Sequence, residues 1–441
     1  MVAYGRFFNQ QMETLSIDEF SKVQEKALMK ELDYVWERSV FYQEKFHSAG
    51  IERSAIKGLE DLKKLPFTEK HELRESLAAS RPLGKHAAVG IERVIRVYST
   101  SGTTGSPTYI GLTKHDRNVW METANRAMWT CGMRPHNIVP LPIGTFFIAA
   151  SYGEGIENLG ATLVPVGVGA TDRLMGAIRN LGADFILSTT SFPLYLIGYC
   201  QKKGIDTRSL GLKGFMLGGE PGAGIPHIRQ QIEESFGANV QECMGNGDML
   251  GLMWAECEFK GGMHFVGQGA CHPEIIDPET GEVLEVRSGL KGEMVYTSID
   301  RECQPLIRFR TRDHVEVIGT ECECGRTGYR IKCIGRTDDM LIISGVNVYP
   351  SAVRDVVGTL SPRVTGEIQI QLLEPPPSVK PPMKIKVEHG ENPGDLRVLK
   401  GEIEALLREK LIFSSDVELL PPGSLPKFEY KAKLVEKVYD K

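Results

Sequence analysis

The sequence predicts an α/β multidomain protein, with a large N-terminal domain of helix-covered sheets that includes a β-rich subdomain, and a small α+β C-terminal domain. Three observations support this fold class. The chain has 441 residues, more than one hydrophobic core ordinarily organises. Short apolar runs of β type alternate with amphipathic segments between about residues 90 and 250, which is typical of parallel sheets covered by helices. After residue 265, turns and β segments such as "GLKGEMVYT" and "IRFRTRDHVEVIG" predict hairpins.

The elements follow from local patterns along the chain. A capping box of Ser16 and Glu19, with apolar residues at helical spacing, predicts a helix over residues 16–48. The segment "LPFTEKHEL" at 65–73 predicts a turn and a short helix with Thr68 as its N-cap. Strands are predicted at 93–98, 138–141, 162–166, 184–188 and 214–217, with helices over "TDRLMGAIRNLGA" and "IPHIRQQIEESFG". The large domain is placed at residues 1–336, its β-rich subdomain at about 255–335, and the C-terminal domain at 337–441.

Composition excludes several classes of protein. Apolar residues make up 41% and charged residues 25%, and the net charge of −5 comes from mixed signs along the chain, which argues against a nucleic-acid surface. The start, "MVAYGRFFNQQMETL", lacks the apolar core of a cleavable signal. The longest apolar stretch, residues 138–150, is interrupted by two prolines and a glycine and is too short to span a membrane. Nine cysteines, an odd number, fit a reducing compartment. We therefore expect a cytoplasmic protein with no membrane partner.

The segment "YSTSGTTGSPTYIGLTKHD", residues 98–116, places glycines and hydroxyl side chains directly after a β-type run. Gly102 and Gly105 allow the backbone to approach an anion closely, and the hydroxyls around them can donate to phosphate oxygens. The segment lacks the Gly-Lys-Ser/Thr ending of the P-loop NTPases, which disfavours that mechanism. Taken alone, the segment fits a phosphate-binding loop and a Ser/Gly-rich surface loop equally well.

Further motifs give the segment a context. "STSGTTGSPT" resembles the phosphate-binding signature of the adenylate-forming enzymes, the superfamily of acyl-CoA synthetases, adenylation domains and luciferases. "METLSIDEF", "LPFTEKHELRE", "IIDPETGEVL", "PLIRFRTRD", "GRTDDMLIISGVNVYPSAV" and "LPKFEYKAK" resemble the phenylacetate-CoA ligase branch, in the right order from about residue 10 to 441. The resemblance implies an ATP-dependent ligase that activates an aromatic or arylalkyl carboxylic acid as acyl-AMP. It then transfers the acyl group to coenzyme A, releasing AMP and pyrophosphate.

The same resemblance implies roles for individual residues. The β- and γ-phosphates would be held by Ser101, Gly102, Thr103, Thr104 and Gly105. The adenine would lie beside Gly218, Gly219 and Glu220 of "MLGGEP", with Met244 and Gly245 nearby. Asp313 would accept the ribose hydroxyls and Arg336 would contact the ribose or phosphate. Asp338 occupies the hinge position, at which the C-terminal domain would swing between the half-reactions. Lys431 would be the catalytic lysine of the first, and Gly345 would line the coenzyme A tunnel in the second.

Three segments depart from the family's pattern. In the last motif, Tyr430 replaces the usual small residue before the catalytic Lys and Lys427 replaces the usual Arg near it. The pattern Tyr-Gly-x-Thr-Glu appears as "MGNGD", residues 244–248, so the hydroxyl residue has become a glycine and the metal-binding Glu has become Asp248. Asp248 can still hold Mg²⁺ through oxygen. In "IGTFFIAAS", residues 143–151, the acyl pocket would contain Phe146 and Phe147 together with Met244. Bulkier residues from Ile148 onward replace glycines there, so the acid need not be phenylacetate.

A metal site is a further expectation. "ECEFKGGMHF" contributes Cys257 and His264, and "CECGR" contributes Cys322 and Cys324. Together they complete a tetrahedral Cys3His set, although the spacing alone favours unrelated core cysteines. The resemblance favours structural zinc, because ligases of the phenylacetate type often carry a similar Cys/His pattern.

Alternatives remain at this point. Within the fold, the acyl group could pass to an amine or to a carrier-protein thiol instead of coenzyme A. A non-catalytic nucleotide-binding descendant is a different class, and the retained motifs at Asp313, Arg336, Asp338 and Lys431 argue against it. The oligomeric state is open, with a homodimer the commonest arrangement.

Overall fold

The computed structural model describes residues 4–100, 108–144, 148–336, 339–343, 346–426 and 433–440. The chain divides into two compact units. The first comprises Met1–Leu187, Gln241–Thr311 and Val315–Lys332, and the second comprises Ser188–Val240, Arg312–His314 and Cys333–Lys441. The predicted domain boundary at residue 337 stays a prediction, while the predicted α/β class is confirmed by the helices and strands that follow.

The helices are α1 (Gln10–Glu13), α2 (Ile17–Arg38), α3 (Val40–Ser48), α4 (Lys70–Ala79), α5 (Lys114–Thr130), α6 (Ser151–Leu159), α7 (Thr171–Leu181), α8 (Ser191–Lys202), α9 (Pro226–Phe236), α10 (Pro350–Gly358) and α11 (Leu396–Leu411). Short 3₁₀ helices lie at Arg53–Ala55, Leu59–Lys64, Ile91–Arg93, Ile148–Ala150, Thr207–Leu210 and Val438–Asp440.

The strands are β1 (Val94–Ser99), β2 (Tyr109–Thr113), β3 (Ile138–Leu141), β4 (Thr162–Pro165), β5 (Phe185–Ser188), β6 (Gly214–Gly218), β7 (Asn239–Asn246), β8 (Leu250–Glu256), β9 (Met263–Phe265), β10 (Cys271–Ile276), β11 (Lys291–Ser298), β12 (Phe309–Gly319), β13 (Arg330–Arg336), β14 (Leu341–Ile343), β15 (Val346–Val348), β16 (Val364–Leu372), β17 (Ser378–Val379), β18 (Met383–His389), β19 (Ser415–Leu420) and β20 (Val435–Lys437). No described helix is long and apolar enough to cross a membrane.

In the first unit, β1 and β2 form an antiparallel hairpin in which Ser99 pairs with Tyr109. Strands β3 and β4 pair in parallel, as the alternation of strands and helices predicts. The later strands are antiparallel: β8 pairs with β7 and with β9, β9 also pairs with β13, and β10 pairs with β11. One core cluster of this unit contains the apolar face of α2, with Leu28, Leu32 and Val35 fully buried.

The second unit contains a four-stranded sheet in the order β19-β18-β16-β20. Strands β16 and β18 are antiparallel, while β19 and β20 pair in parallel with their neighbours. Helices α10 and α11 pack with this sheet around a buried core that includes Ile370, Ile385 and Leu407.

Two local predictions are wrong in detail. The helix predicted over 16–48 is broken at Ser39, whose backbone is extended (φ −98°, ψ 106°). Just beyond it, the N–H of Phe41 donates to the carbonyl of Lys85 (3.2 Å), a tertiary bond that a continuous helix would forfeit. Helix α4 begins after Glu69, not Thr68, and Glu69 forms the capping box with Glu72. Thr68 is buried instead, and its hydroxyl donates to the carbonyl of Ile307 (2.6 Å).

Candidate active site

The β1–β2 hairpin holds Thr100 and Thr108 side by side, the two residues that flank residues 101–107 of the predicted phosphate-binding loop, called the phosphate segment below. The N–H of Thr100 donates to the carbonyl of Thr108 (3.0 Å), and the N–H of Thr108 donates to the hydroxyl of Thr100 (3.1 Å). The residues between them, including the predicted Ser101, Gly102, Thr103, Thr104 and Gly105, lie outside the described residues. The hairpin thus brings Thr100 and Thr108, the described residues on either side of this segment, into direct contact.

Asp248 lies beside Thr108. Its carboxylate accepts a hydrogen bond from the Thr108 hydroxyl at Oδ1 (2.8 Å) and pairs through Oδ2 with the Lys70 ammonium. Lys70 Nζ also contacts Thr108 Oγ1 (2.9 Å). The three side chains therefore join the start of α4, the end of the phosphate segment and the β7–β8 turn. The carboxylate is buried and presents hard oxygen donors, the ligand type that Mg²⁺ takes.

Arg301 binds the backbone that carries Asp248. This buried guanidinium donates through Nη1 to the carbonyls of Asp248 and Met249, and burial lowers its pKa. The N–H of Arg301 donates to the carboxyl of Glu31 (3.3 Å). Burial raises the pKa of Glu31 to about 8, because a carboxylate in a low-dielectric interior loses its hydration.

Met244 and Gly245 lie on β7, where Met244 pairs with Trp254 of β8. A Cβ at Gly245 would lie 1.9 Å from the carbonyl oxygen of Gly251. No side chain fits there, because the atom it would meet belongs to the backbone of the partner strand. Gly245 is thus required by the hairpin that carries Asp248, independently of any nucleotide contact.

The remaining described nucleotide-site residues belong to the second unit. Gly218 ends β6, and Gly219 has a φ of 81°, the left-handed conformation that favours glycine. The Glu220 carboxylate accepts hydrogen bonds from the N–H and hydroxyl of Ser191 (both 2.6 Å), at the first residue of α8. Arg336 Nη1 lies 3.5 Å from Asp313 Oδ1, so the two predicted ribose-side residues are neighbours.

The four predicted metal ligands meet in the first unit. Cys257 follows β8, His264 lies on β9, and Cys322 and Cys324 lie between β12 and β13. Pairing of β9 with both β8 and β13 explains why they converge. Their ligand atoms all lie within 4.8 Å of one another.

Two distances within the metal cluster support a shared ligand set. The sulfurs of Cys257 and Cys322 are 3.8 Å apart, and Cys324 Sγ lies 3.4 Å from His264 Nε2. Hydrogen bonds from Cys257 and His264 lower the pKa of the Cys324 thiol, while the hydrogen bond to Cys324 and burial raise the pKa of the Cys257 thiol; thiolate is the form that binds metal. A compact Cys3His donor set fits a structural zinc ion.

Comparison with known proteins decides the family. A family model described as "AMP-binding enzyme C-terminal domain" matches residues 345–441. Phenylacetate-coenzyme A ligase of Thermus thermophilus is 34% identical over 96% of this chain and 97% of its own length. The chain belongs to the phenylacetate-CoA ligase family. The family member from Escherichia coli, also a phenylacetate-coenzyme A ligase, is 31% identical over 96% of this chain and 95% of its own length.

Solved structures agree with this membership. A 2-hydroxyisobutyryl-CoA ligase in the postadenylation state, in complex with R3-HIB-AMP, has a TM-score of 0.91 at 29% identity, over 99% of this chain and 94% of its own. The same ligase in complex with 2-HIB-AMP and CoA in the thioesterification state has a TM-score of 0.73 at 30% identity, over 98% of this chain and 92% of its own. The family predicted from the motifs, and the fold class that it implies, are both confirmed.

For this phenylacetate-CoA ligase family member, the structure brings some predicted site residues together. Asp248 lies at the base of the phosphate segment, and Asp313 lies beside Arg336. Phe146, Phe147, Asp338, Gly345, Lys427, Tyr430 and Lys431 lie outside the described residues. Sequence reasoning missed Lys70 and Arg301. Lys70 lies within "LPFTEKHEL" and Arg301 lies shortly before "PLIRFRTRD". The neighbouring sequence gives no indication that either side chain contacts Asp248.

Proposed function

We propose that this protein is an AMP-forming acid–CoA ligase that activates an aromatic or arylalkyl carboxylic acid of the phenylacetate type. It joins the acid to ATP as acyl-AMP with release of pyrophosphate, then transfers the acyl group to coenzyme A with release of AMP. The observation that carries this proposal is the match to phenylacetate-coenzyme A ligases over 96% of the chain. A related enzyme of known structure, a 2-hydroxyisobutyryl-CoA ligase, has been solved in complex with 2-HIB-AMP and CoA.

The first half-reaction brings two anions together, the carboxylate and the triphosphate. The Ser/Gly segment held by Thr100 and Thr108 binds the β- and γ-phosphates through its backbone N–H groups and hydroxyls. Lys70 adds a positive charge at the end of this segment. Because an ammonium at a fixed position needs no reorganisation as charge develops, it stabilises the leaving pyrophosphate.

Asp248 would hold Mg²⁺, which neutralises charge on the triphosphate when bound. The carboxylate stays oriented because Thr108 donates to one oxygen and Arg301 bonds the carbonyls of Asp248 and Met249. On the nucleoside side, Asp313 accepts the ribose hydroxyls, and Gly218, Gly219 and Glu220 lie beside the adenine. Lys431 acts in the adenylation step, and Asp338 is the hinge about which the C-terminal domain turns to present Gly345 to coenzyme A.

The Cys257, His264, Cys322 and Cys324 cluster would hold a structural zinc ion. A zinc ion joining four positions on three chain segments would tie β8, β9 and the β12–β13 turn together. The ion would stabilise this part of the first unit without contacting the reacting atoms.

Two further proposals concern the protein in the cell. The nine cysteines, an odd number, support a reducing, cytoplasmic location. A homodimer is the commonest assembly of soluble oligomers, and sedimentation of the purified chain tests it.

A panel of acids tests the function. Pyrophosphate release is measured with ATP and Mg²⁺, with and without coenzyme A, for phenylacetate, benzoate and 2-hydroxyisobutyrate. We expect the arylalkyl acid to support release of pyrophosphate and AMP in a coenzyme A-dependent manner. No ATP–pyrophosphate exchange with any acid would refute the enzyme assignment. Exchange without coenzyme A-dependent AMP formation would favour an amine or carrier-thiol acceptor.

A matched pair of variants connects the activity to the site. Asp248→Asn should lose most of the adenylation activity, because the amide cannot replace a carboxylate as the Mg²⁺ ligand. Asp277→Asn is the control, since Asp277 lies at a turn remote in sequence from the phosphate segment, where its carboxylate accepts hydrogen bonds from the N–H groups of Glu279 and Thr280. Equal activity of the two variants would remove Asp248 from the mechanism.

A further inference from the structure

Two departures from the family's sequence pattern meet in the structure. Gly247 stands where the pattern has a hydroxyl residue, and Ile148 stands in a segment where the pattern has glycines. A Cβ built on Gly247 would lie 3.2 Å from Ile148 Cγ2 and 3.6 Å from Ile148 Cβ. The side chain of Ile148 therefore occupies the space next to Gly247 that a larger residue would need.

The glycine at 247 is not required by its own backbone. The φ angle of Gly247 is not in the positive range that favours glycine, so a residue with a side chain can adopt this φ. Gly245, two residues earlier, differs because a Cβ there would strike the backbone of Gly251. At Gly247 the atoms that would be met are side-chain methyls, from Ile148 and, at 3.5 Å, from Thr100. Packing against Ile148 is thus the reason for a glycine at this position.

The pair lies close to the reacting end of the proposed substrate. Gly247 directly precedes Asp248, and Thr100 leads from β1 into the phosphate segment. Ile148 follows directly after the predicted acyl-pocket residues Phe146 and Phe147. Ile148 and Gly247 are each only partly buried, so they line open space as well as each other. Bulk added here lies near the carboxyl end of the acid in the proposed reaction, because the carboxylate attacks the α-phosphate, which is bonded directly to the β-phosphate that the phosphate segment would hold.

We propose that Ile148 and Gly247 act as one specificity-determining pair, which narrows the acid site beside the carbon adjacent to the carboxyl group. The pair favours acids whose α-carbon is an unsubstituted CH₂ over acids branched at that carbon. This inference rests on the proposed acid–CoA ligase function. One methyl group in a closely packed pocket changes kcat/KM by about 10–200-fold, so the effect is within reach of ordinary kinetics.

The test compares the best acid of the panel with its α-methyl derivative, for example phenylacetate with 2-phenylpropanoate. The wild type should prefer the unbranched acid by about tenfold or more in kcat/KM. Ile148→Ala should reduce this preference severalfold by raising kcat/KM for the branched acid. An unchanged preference in Ile148→Ala overturns the proposal, whereas a wild type inactive with every acid refutes the ligase function itself.

A double-mutant cycle tests the coupling of the two positions. Gly247→Ala should lower kcat/KM for both acids, because its Cβ crowds Ile148, and Ile148→Ala in the same chain should restore part of the loss. If the effects of the two substitutions on kcat/KM are additive, the two residues act independently, and the proposal that they form one specificity-determining pair is wrong.

Thermal unfolding of the same four proteins provides a readout that does not depend on activity. Gly247→Ala should lower Tm, and Ile148→Ala should relieve part of this decrease. Gly153→Ala is the matched control, since its Cβ would lie 3.3 Å from Leu163 Cδ2, an equally tight contact with a partner other than Ile148. Its effect should add to that of Ile148→Ala. Coupling of Ile148 to Gly153 as strong as to Gly247 would contradict the local packing argument.

Discussion

The buried ion pair between Glu13 and Arg326 allows a quantitative test of the structure. Arg326 Nε lies 2.8 Å from Glu13 Oε2, and the side chains are 2% and 0% exposed. The pair connects α1 with the turn of the metal cluster, because the N–H of Arg326 also donates to the sulfur of Cys324 (3.5 Å). Glu13→Gln keeps the size of the side chain but leaves the guanidinium buried without a counter-charge.

The expected cost follows from this burial. Breaking a buried pair by removing one charge costs about 3–5 kcal/mol, which in a cooperative unit of about 280 residues corresponds to a decrease in Tm of about 5–9 °C. Differential scanning calorimetry at neutral pH measures it. Glu374→Gln is the control: Glu374 pairs with Lys380, whose side chain is 82% exposed, and its loss should leave Tm unchanged.

A double variant distinguishes loss of the ion pair from a general folding defect. Glu13→Leu combined with Arg326→Met removes both charges, and should recover part of the stability lost in Glu13→Leu alone, because an apolar replacement has no charge to desolvate. If Glu13→Gln melts within about 2 °C of the wild type, the pair is either not formed or not buried, and the reasoning is wrong.

Three further predictions concern a buried acid, the metal cluster and the half-reactions. Burial raises the pKa of Glu31 to about 8, so the folded protein keeps a proton that the unfolded chain loses near pH 4.5. Wild-type stability should therefore fall between about pH 5 and pH 8 by up to about 1.4 kcal/mol per pH unit, and Glu31→Gln should flatten this slope in thermal melts. Protein purified without added zinc should carry about one equivalent of metal; Cys322→Ser should lower both metal content and Tm, and less than about half an equivalent in the wild type would count against the site. Lys431→Ala should lose adenylation while still converting preformed acyl-AMP to the thioester, and equal loss of both half-reactions would contradict the hinge assignment.

Local patterns predicted much of the secondary structure. The runs that became β1, β3, β5 and β6 are apolar over a few residues and bounded by turn-forming residues, so their conformation is specified by near neighbours. The break at Ser39 was not predictable in this way. It depends on a hydrogen bond from Phe41 to Lys85, and the sequence shows no sign that these two residues come together.

The motifs by themselves determined the family, the reaction class that it implies and the residue types of the Cys/His cluster, because these depend on the chemistry and order of short segments. Tertiary structure alone decided that Lys70, 178 residues from Asp248, pairs with its carboxylate, and that Arg301 holds the backbone beneath it. It also decided that Ile148 fills the space beside Gly247. Contacts of this kind depend on how distant segments pack. Burial sets the strength of each charge–charge interaction and the space available to each methyl group, and it arises only when the segments have packed.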